Sequence, residues 1–193
     1  MRVSAVLLAG GKSTRMGRDK ALLDFDGEPL WQRQLSTLRQ LNPGQILISG
    51  PPRKDWEECE VIADEIANAG PLAGVSMALR SCTGPLLVVL AIDLPMMTAN
   101  YLLSLLALSD EEHGVVPVSP RGPEPLAAIY PRSCRQLANA SLQRGDFSMH
   151  GFIDEACGHG FLRLQPIAPT DLELFTNLNT LADYERARPR PVR

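Results

Sequence analysis

Nothing in the 193-residue sequence offers a metal knuckle or a disulfide scaffold. Its four cysteines, Cys59, Cys82, Cys134 and Cys157, form no Cys-x-x-Cys pair, and no histidine stands at ligand spacing to them beyond Cys157-Gly158-His159. Cysteines so placed suit reduced thiols in a cytoplasmic protein. Long apolar runs are missing as well: the longest, Ala5 to Ala9 and Leu86 to Ile92, fall far short of the roughly 18 to 20 residues of a spanning helix, so no membrane segment is expected. There is no surplus of positive charge. Lys and Arg total 19 against 22 Asp and Glu, a net charge of −3, which argues against a nucleic-acid or anionic-membrane partner. Any phosphate must therefore be held by a local group of residues.

What is present is an ordinary apolar content, 45% of the chain, arranged in two alternating periods. Ser4 to Leu8, Gln45 to Ser49, Val61 to Ala63, Leu86 to Ile92, Val115 to Val118 and Leu126 to Tyr130 read as strands. Apart from Ser4, the first and fourth are continuously apolar, as expected of central parallel strands covered on both faces. Between them, Pro29 to Leu41, Pro71 to Arg80, Thr98 to Leu108 and Arg132 to Gln143 read as helices, with Thr98 a suitable N-cap. The helical spacing places Trp31 in the core, whereas Trp56, in a charged stretch, is expected at the surface. Alternation of this kind predicts a three-layer α/β/α, Rossmann-like fold with a mainly parallel sheet. With no repeat and no long linker, one domain is expected over residues 1–185, followed by an Arg/Pro-rich disordered tail over 186–193.

In an open α/β sheet ligands lie beyond the carboxyl ends of the strands. The turn after the first strand, Leu8-Ala9-Gly10-Gly11-Lys12-Ser13-Thr14-Arg15-Met16-Gly17-Arg18-Asp19-Lys20, joins three glycines to four basic side chains. Glycines allow successive N–H groups to face one concavity, and Arg and Lys add charge-assisted hydrogen bonds to an oxyanion. Gly11-Lys12-Ser13 imitates the end of a P-loop, but Val6 stands where that motif requires glycine. Glycines at 10, 11 and 17 do not make Gly-x-Gly-x-x-Gly either, which removes the main support for a nicotinamide or flavin enzyme. The second informative place is Asp93, at the end of the buried run Leu86 to Ile92. A carboxylate there can bind Mg²⁺ together with substrate phosphates, or can simply shape the turn before Pro95.

Leu8-Ala9-Gly10-Gly11-x-x-x-Arg15-Met16-Gly17-x-x-Lys20 resembles the signature loop of the nucleotidyltransferases that build molybdopterin dinucleotides, most closely the molybdenum cofactor guanylyltransferases. The likeness continues through Gly27-Glu28-Pro29-Leu30-Trp31, Gly70-Pro71-Leu72-Ala73-Gly74, Asp93-Leu94-Pro95, Glu124-Pro125-Leu126 and Asn177-Leu178-Asn179-Thr180. It implies a nucleotidyltransferase fold, GTP and molybdopterin as substrates, and Mg²⁺ as the metal. It also implies nucleotide contacts from Leu8, Ala9, Gly10, Gly11, Lys20, Asp64, Pro71, Leu72, Gly74 and Asp93, with Asp93 holding the metal. Lys20, Asp93 and Arg15 would carry the catalysis. The acceptor would meet Arg144, Asn177 and Asn179, although Gly145 is equally a plain helix cap on local sequence. The labile product would pass to a molybdoenzyme chaperone by transient contact.

Gly10-Gly11 is typical of the guanylyl branch, whereas Ser49 stands where enterobacterial members carry asparagine, which leaves the base contact open. Two other readings accompany this one. They are a cytidylyltransferase or another small-molecule nucleotidyltransferase, and a nucleotide-binding module without catalysis.

Overall fold

The computed structural model describes residues 2–10, 20–56, 59–63, 70–178 and 183–184. In chain order the strands and helices are β1 (Val3–Leu8), β2 (Asp24–Phe25), β3 (Glu28–Pro29), α1 (Leu30–Arg39), β4 (Gln45–Ser49), β5 (Glu60–Ile62), α2 (Pro71–Ser81) and β6 (Leu86–Ala91). They continue with α3 (Ala99–Ala107), β7 (Gly114–Ser119), β8 (Gly122–Pro123), β9 (Ala127–Pro131), α4 (Cys134–Gln143), α5 (Met149–Gly158) and β10 (Leu162–Pro166).

The main sheet runs β10-β7-β9-β6-β1-β4-β5, with β8 paired to β7, while β2 and β3 form a separate hairpin. β1 pairs in parallel with both β4 and β6, and β4 with β5. Only β9 breaks the parallel run of the seven-strand path, lying antiparallel to β6 and to β7. The carboxyl ends of β1, β4, β5 and β6 therefore share one rim.

The apolar residues of β1 and β6 resolve into two faces with a period of two, as the pleat requires. Val3, Ala5 and Leu7 of β1, with Leu86, Val88 and Leu90 of β6, pack with Leu30, Leu35 and Leu38 of α1 and Leu102 and Leu105 of α3. Val6 and Leu8, with Leu87 and Val89, face the other way, onto Leu72, Val75 and Leu79 of α2, Ala138 of α4 and Phe152 of α5. Three layers result, as the alternation predicted.

Thr98 caps α3 by accepting from the Tyr101 N–H at 3.3 Å. α4 begins at Cys134, two residues later than its pattern suggested. α5 and β10 lie where the sequence analysis placed no element: α5 is only ten residues long with two glycines, and β10 buries only Leu162. The tryptophans depart from expectation to different degrees. Trp56 is buried, with the Arg53 guanidinium 5.0 Å from its ring, because neighbouring charged side chains turn outward around an inward indole. Trp31 meets its expectation only in part: it packs against the core cluster but is half-buried and also lines a surface groove with Glu28, Gln32, Arg39 and Lys54.

Candidate active site

At the shared rim, the Lys20 ammonium lies 3.4 Å from Asp93 Oδ2, across 73 residues of sequence. Lys20 is supplied by a 3-10 turn over Lys20–Leu22, and Asp93 follows directly on the end of β6. Their side chains are only 17% and 22% exposed, so water screens this pair less than a surface salt bridge. Asp93 Oδ1 is buried and has no hydrogen-bond partner among the described residues. A desolvated carboxylate oxygen held in this way calls for a cation.

The fit is to a hard cation that takes one carboxylate and completes its shell from phosphate oxygens and water. No cluster of three or more His, Cys, Asp or Glu side chains among the described residues offers an all-protein cage. The donor set therefore suits a divalent ion that arrives with a polyphosphate.

The turn carrying Asp93 is fixed from behind by α1. Gln34 is fully buried, and its Nε2 donates to the carbonyls of Leu94 at 2.6 Å and Ala91 at 3.3 Å, one on each side of the aspartate. Arg33 Nε donates to the Pro95 carbonyl at 2.7 Å, with its guanidinium 5.2 Å from the Phe25 ring. From the front, the Leu178 N–H donates to the Asp93 carbonyl at 2.9 Å, which brings Asn177 to the same rim. Sequence reasoning passed over Gln34 and Arg33. The available signal was a polar Gln34 midway between Leu30 and Leu38, inside the apolar stripe of α1.

The other wall is α2. Gly70 at its N-cap has φ 67° and ψ −163°, a region essentially restricted to glycine, which turns the chain into the helix so that Pro71 takes the first position. One turn on, Gly74 lies so close to β4 and β1 that a Cβ would stand 2.5 Å from Ser49 Oγ and 3.1 Å from Leu8 Cδ2. This contact joins two of the sequence-derived nucleotide positions, Leu8 and Gly74, to Ser49. The Ile92 N–H donates to the Leu8 carbonyl and the Ala9 N–H to the Ser49 carbonyl, so the ends of β1, β4 and β6 are laced together beneath Gly10.

Of the residues derived from the sequence, Leu8, Ala9, Gly10, Lys20, Pro71, Leu72, Gly74, Asp93 and Asn177 thus occur on one rim. Gly11, Arg15, Asp64 and Asn179 lie outside the described residues. Arg144 is engaged elsewhere: its guanidinium donates to Glu155 at 2.7 Å and to Ser141 Oγ at 3.2 Å. Gly145 closes α4 with φ 75°, and the bonds Gly145 N–H to Leu142 and Asp146 N–H to Ser141 form a Schellman ending.

A mainly parallel sheet, a glycine turn after its first strand and a lysine–aspartate pair on the same rim define a phosphate-handling enzyme of the nucleotidyltransferase class. The model of the MobA-like NTP transferase domain matches residues 5–158. The chain belongs to this family. It is 35% identical to a probable molybdenum cofactor guanylyltransferase of Opitutus terrae, covering 96% of this chain and 95% of that protein. It is 30% identical to a molybdenum cofactor guanylyltransferase of Syntrophotalea carbinolica, covering 96% and 90%. Among solved structures it is similar to molybdopterin-guanine dinucleotide biosynthesis protein A of Archaeoglobus fulgidus, with 25% identity, TM-score 0.77 and 96% of each chain covered. No helix among the described residues is long and apolar enough to cross a membrane.

Proposed function

We propose that this protein transfers GMP from GTP to the phosphate of molybdopterin, forming molybdopterin guanine dinucleotide and releasing pyrophosphate. The observation that carries this reading is the pairing of Lys20 with an Asp93 carboxylate whose second oxygen is buried and without a hydrogen-bond partner among the described residues. The guanylyl relatives, similar over almost the full chain, supply the nucleotide and the acceptor.

The acceptor phosphate is an anion near neutral pH, so attack on the α-phosphorus needs no general base from the protein. The protein's work is positioning and charge compensation. Lys20 sets one ammonium charge against the triphosphate, beside the loop amides that begin at Gly10. Arg15 and Gly11 complete that loop in the role the family resemblance gives them. Asp93, held by Gln34 and Leu178, would bind Mg²⁺, which supplies neutralisation of phosphate charge during transfer. The first turn of α2, with Ser49 and Asp64, would border the nucleoside, and Asn177, Asn179 and Arg144 the pterin. For Arg144 this requires exchange of its Glu155 partner. Four free thiols suit the cytoplasm, where a chaperone of molybdoenzymes would take the product.

The test is pyrophosphate release from GTP, CTP, ATP and UTP in turn, with Mg²⁺ and a molybdopterin acceptor. Release with GTP is expected, falling roughly 10²-fold or more in Lys20→Ala and in Asp93→Ala, with little change in Tm. Release with CTP instead would keep the mechanism and change the base, the outcome that Ser49 in place of asparagine would then explain. Silence with all four would end the transferase reading.

A further inference from the structure

A second cavity, about 870 Å³, opens at the opposite end of the sheet, lined by Arg80, Arg132, Ser133, Arg135, Gln136, Asn139 and Phe161. Its position follows from the topology. β9 runs antiparallel to β6, with Pro131 opposite Leu86, and the Arg132 N–H donates to the Pro85 carbonyl at 2.8 Å. Arg132 therefore sits at the start of β6, while Asp93 follows its end. Six strand residues separate the two levels by about 20 Å.

In a chain with an acidic excess, three of these seven lining residues are arginines and none is acidic. Arg80 comes from the last turn of α2, and Arg132 and Arg135 flank the start of α4. The guanidinium groups of Arg132 and Arg135 form no hydrogen bond or ion pair with any described residue. α4 has no acidic residue in its first turn, and Ser133 makes no side-chain cap, so the positive end of that helix adds to the same field. The same field acts on the nearby buried Cys82 thiol, which burial pushes up and Arg132 and Arg135 pull back. Among the described residues nothing pairs with the Arg132 and Arg135 guanidinium groups, so their complement must arrive from outside.

We propose that this cavity binds a small phosphorylated anion, a second anion site separate from the Lys20–Asp93 rim. Arginine forks suit phosphate oxygens better than a point charge would. Gln136 and Asn139, one turn apart on α4, present amides beside them. Phe161, stacked on His159 with centroids 5.8 Å apart, provides an aromatic wall against which a planar group can lie. The cavity has the volume of a nucleotide-sized ligand. Inorganic pyrophosphate and nucleoside monophosphates share the required chemistry, and the proposal does not depend on the transferase reading.

The test is a site-resolved NMR titration of the full chain with inorganic pyrophosphate and, separately, with AMP, at constant ionic strength and without nucleoside triphosphate. Amide and guanidinium signals of Arg132, Arg135 and Gln136 should shift. The dissociation constant should rise at least tenfold in Arg132→Ala/Arg135→Ala, whose exposed side chains leave the fold intact, and should hold in Lys20→Ala. Tighter binding of AMP, lost in Phe161→Ala, would identify a nucleoside phosphate; equal binding would identify a simple phosphate. Shifts confined to the Lys20–Asp93 rim, or equal shifts with sodium chloride, would overturn the proposal. So would tighter binding of a hexa-aspartate peptide than of either phosphate, which would make this face a protein contact.

Discussion

Gln34 and Leu94 are joined by a 2.6 Å hydrogen bond from the side-chain amide to the main-chain carbonyl, and the same amide nitrogen also reaches Ala91. Asp93 sits between the two accepting residues, so Gln34, from the neighbouring helix, sets the angle at which the carboxylate faces the rim.

Gln34→Met should therefore lower kcat about tenfold with little change in the KM for GTP, and should raise the Mg²⁺ concentration needed for half-maximal rate. The two orphaned carbonyls add a stability loss of about 1–3 kcal/mol. Steady-state kinetics at varied Mg²⁺, alongside urea unfolding, separate the two effects. A loss of stability with an unchanged Mg²⁺ requirement would reduce Gln34 to a packing residue.

At Gly74 the nearest obstacle to a side chain is Ser49 Oγ, itself buried at the end of β4. Gly74→Ala is expected to cost about 1–3 kcal/mol through overpacking and to raise the KM for GTP by displacing the hydroxyl. Ser49→Ala removes the closest atom, so the double variant should regain part of the stability lost by Gly74→Ala. A thermodynamic cycle over the four proteins measures the coupling, and strict additivity would contradict the contact.

Asp110 accepts from His113 Nδ1 at 2.7 Å and from Arg163 at 3.2 Å. The His113 hydrogen bond, followed by main-chain N–H bonds from Glu112 and His113, holds its carboxyl down at about 2, against 3.8 ordinarily. A depressed carboxyl stabilises the folded state above its unfolded value and loses that contribution as pH falls toward the folded one. Acid unfolding of Asp110→Asn should thus differ from the parent above about pH 4, with the difference closing by about pH 2. Carboxyl-carbon NMR reads the titration directly.

Cys134 is buried, which pushes its thiol up to about 12, with Cys157 adding to the rise. It should resist thiol reagents in the native protein at pH 8 and react only on unfolding. In alkali the sign is opposite to that of Asp110: the contribution is complete below the ordinary thiol value and fades as pH climbs toward 12. Cys134→Ala should flatten that part of the alkaline unfolding curve.

The layers and the parallel centre of the sheet were legible because each has a local signature: a continuous apolar strand or a 3.6-residue stripe. Asp93 was legible as a carboxylate closing a buried run. The support behind it was not, since hydrogen bonds from Gln34 to residues 57 and 60 positions away leave no local trace. Nor was β9 legible as the reversed strand, because alternation does not encode direction. Trp56 shows the same limit. Charged neighbours predict exposure only when they share its direction, and on a tight turn they do not.

Lys20 and Asp93 stand 73 residues apart and meet only because β1 and β6 are neighbours in the sheet. During synthesis the nascent chain emits its glycine turn early, yet that turn has no counterpart until β6 and the residue after it have left the ribosome. Pairing such distant strands is a slow step, set by loop closure rather than by local preference. A ligand that needs both Lys20 and Asp93 can consequently engage the folding chain only late, rewarding a finished sheet centre rather than guiding its assembly.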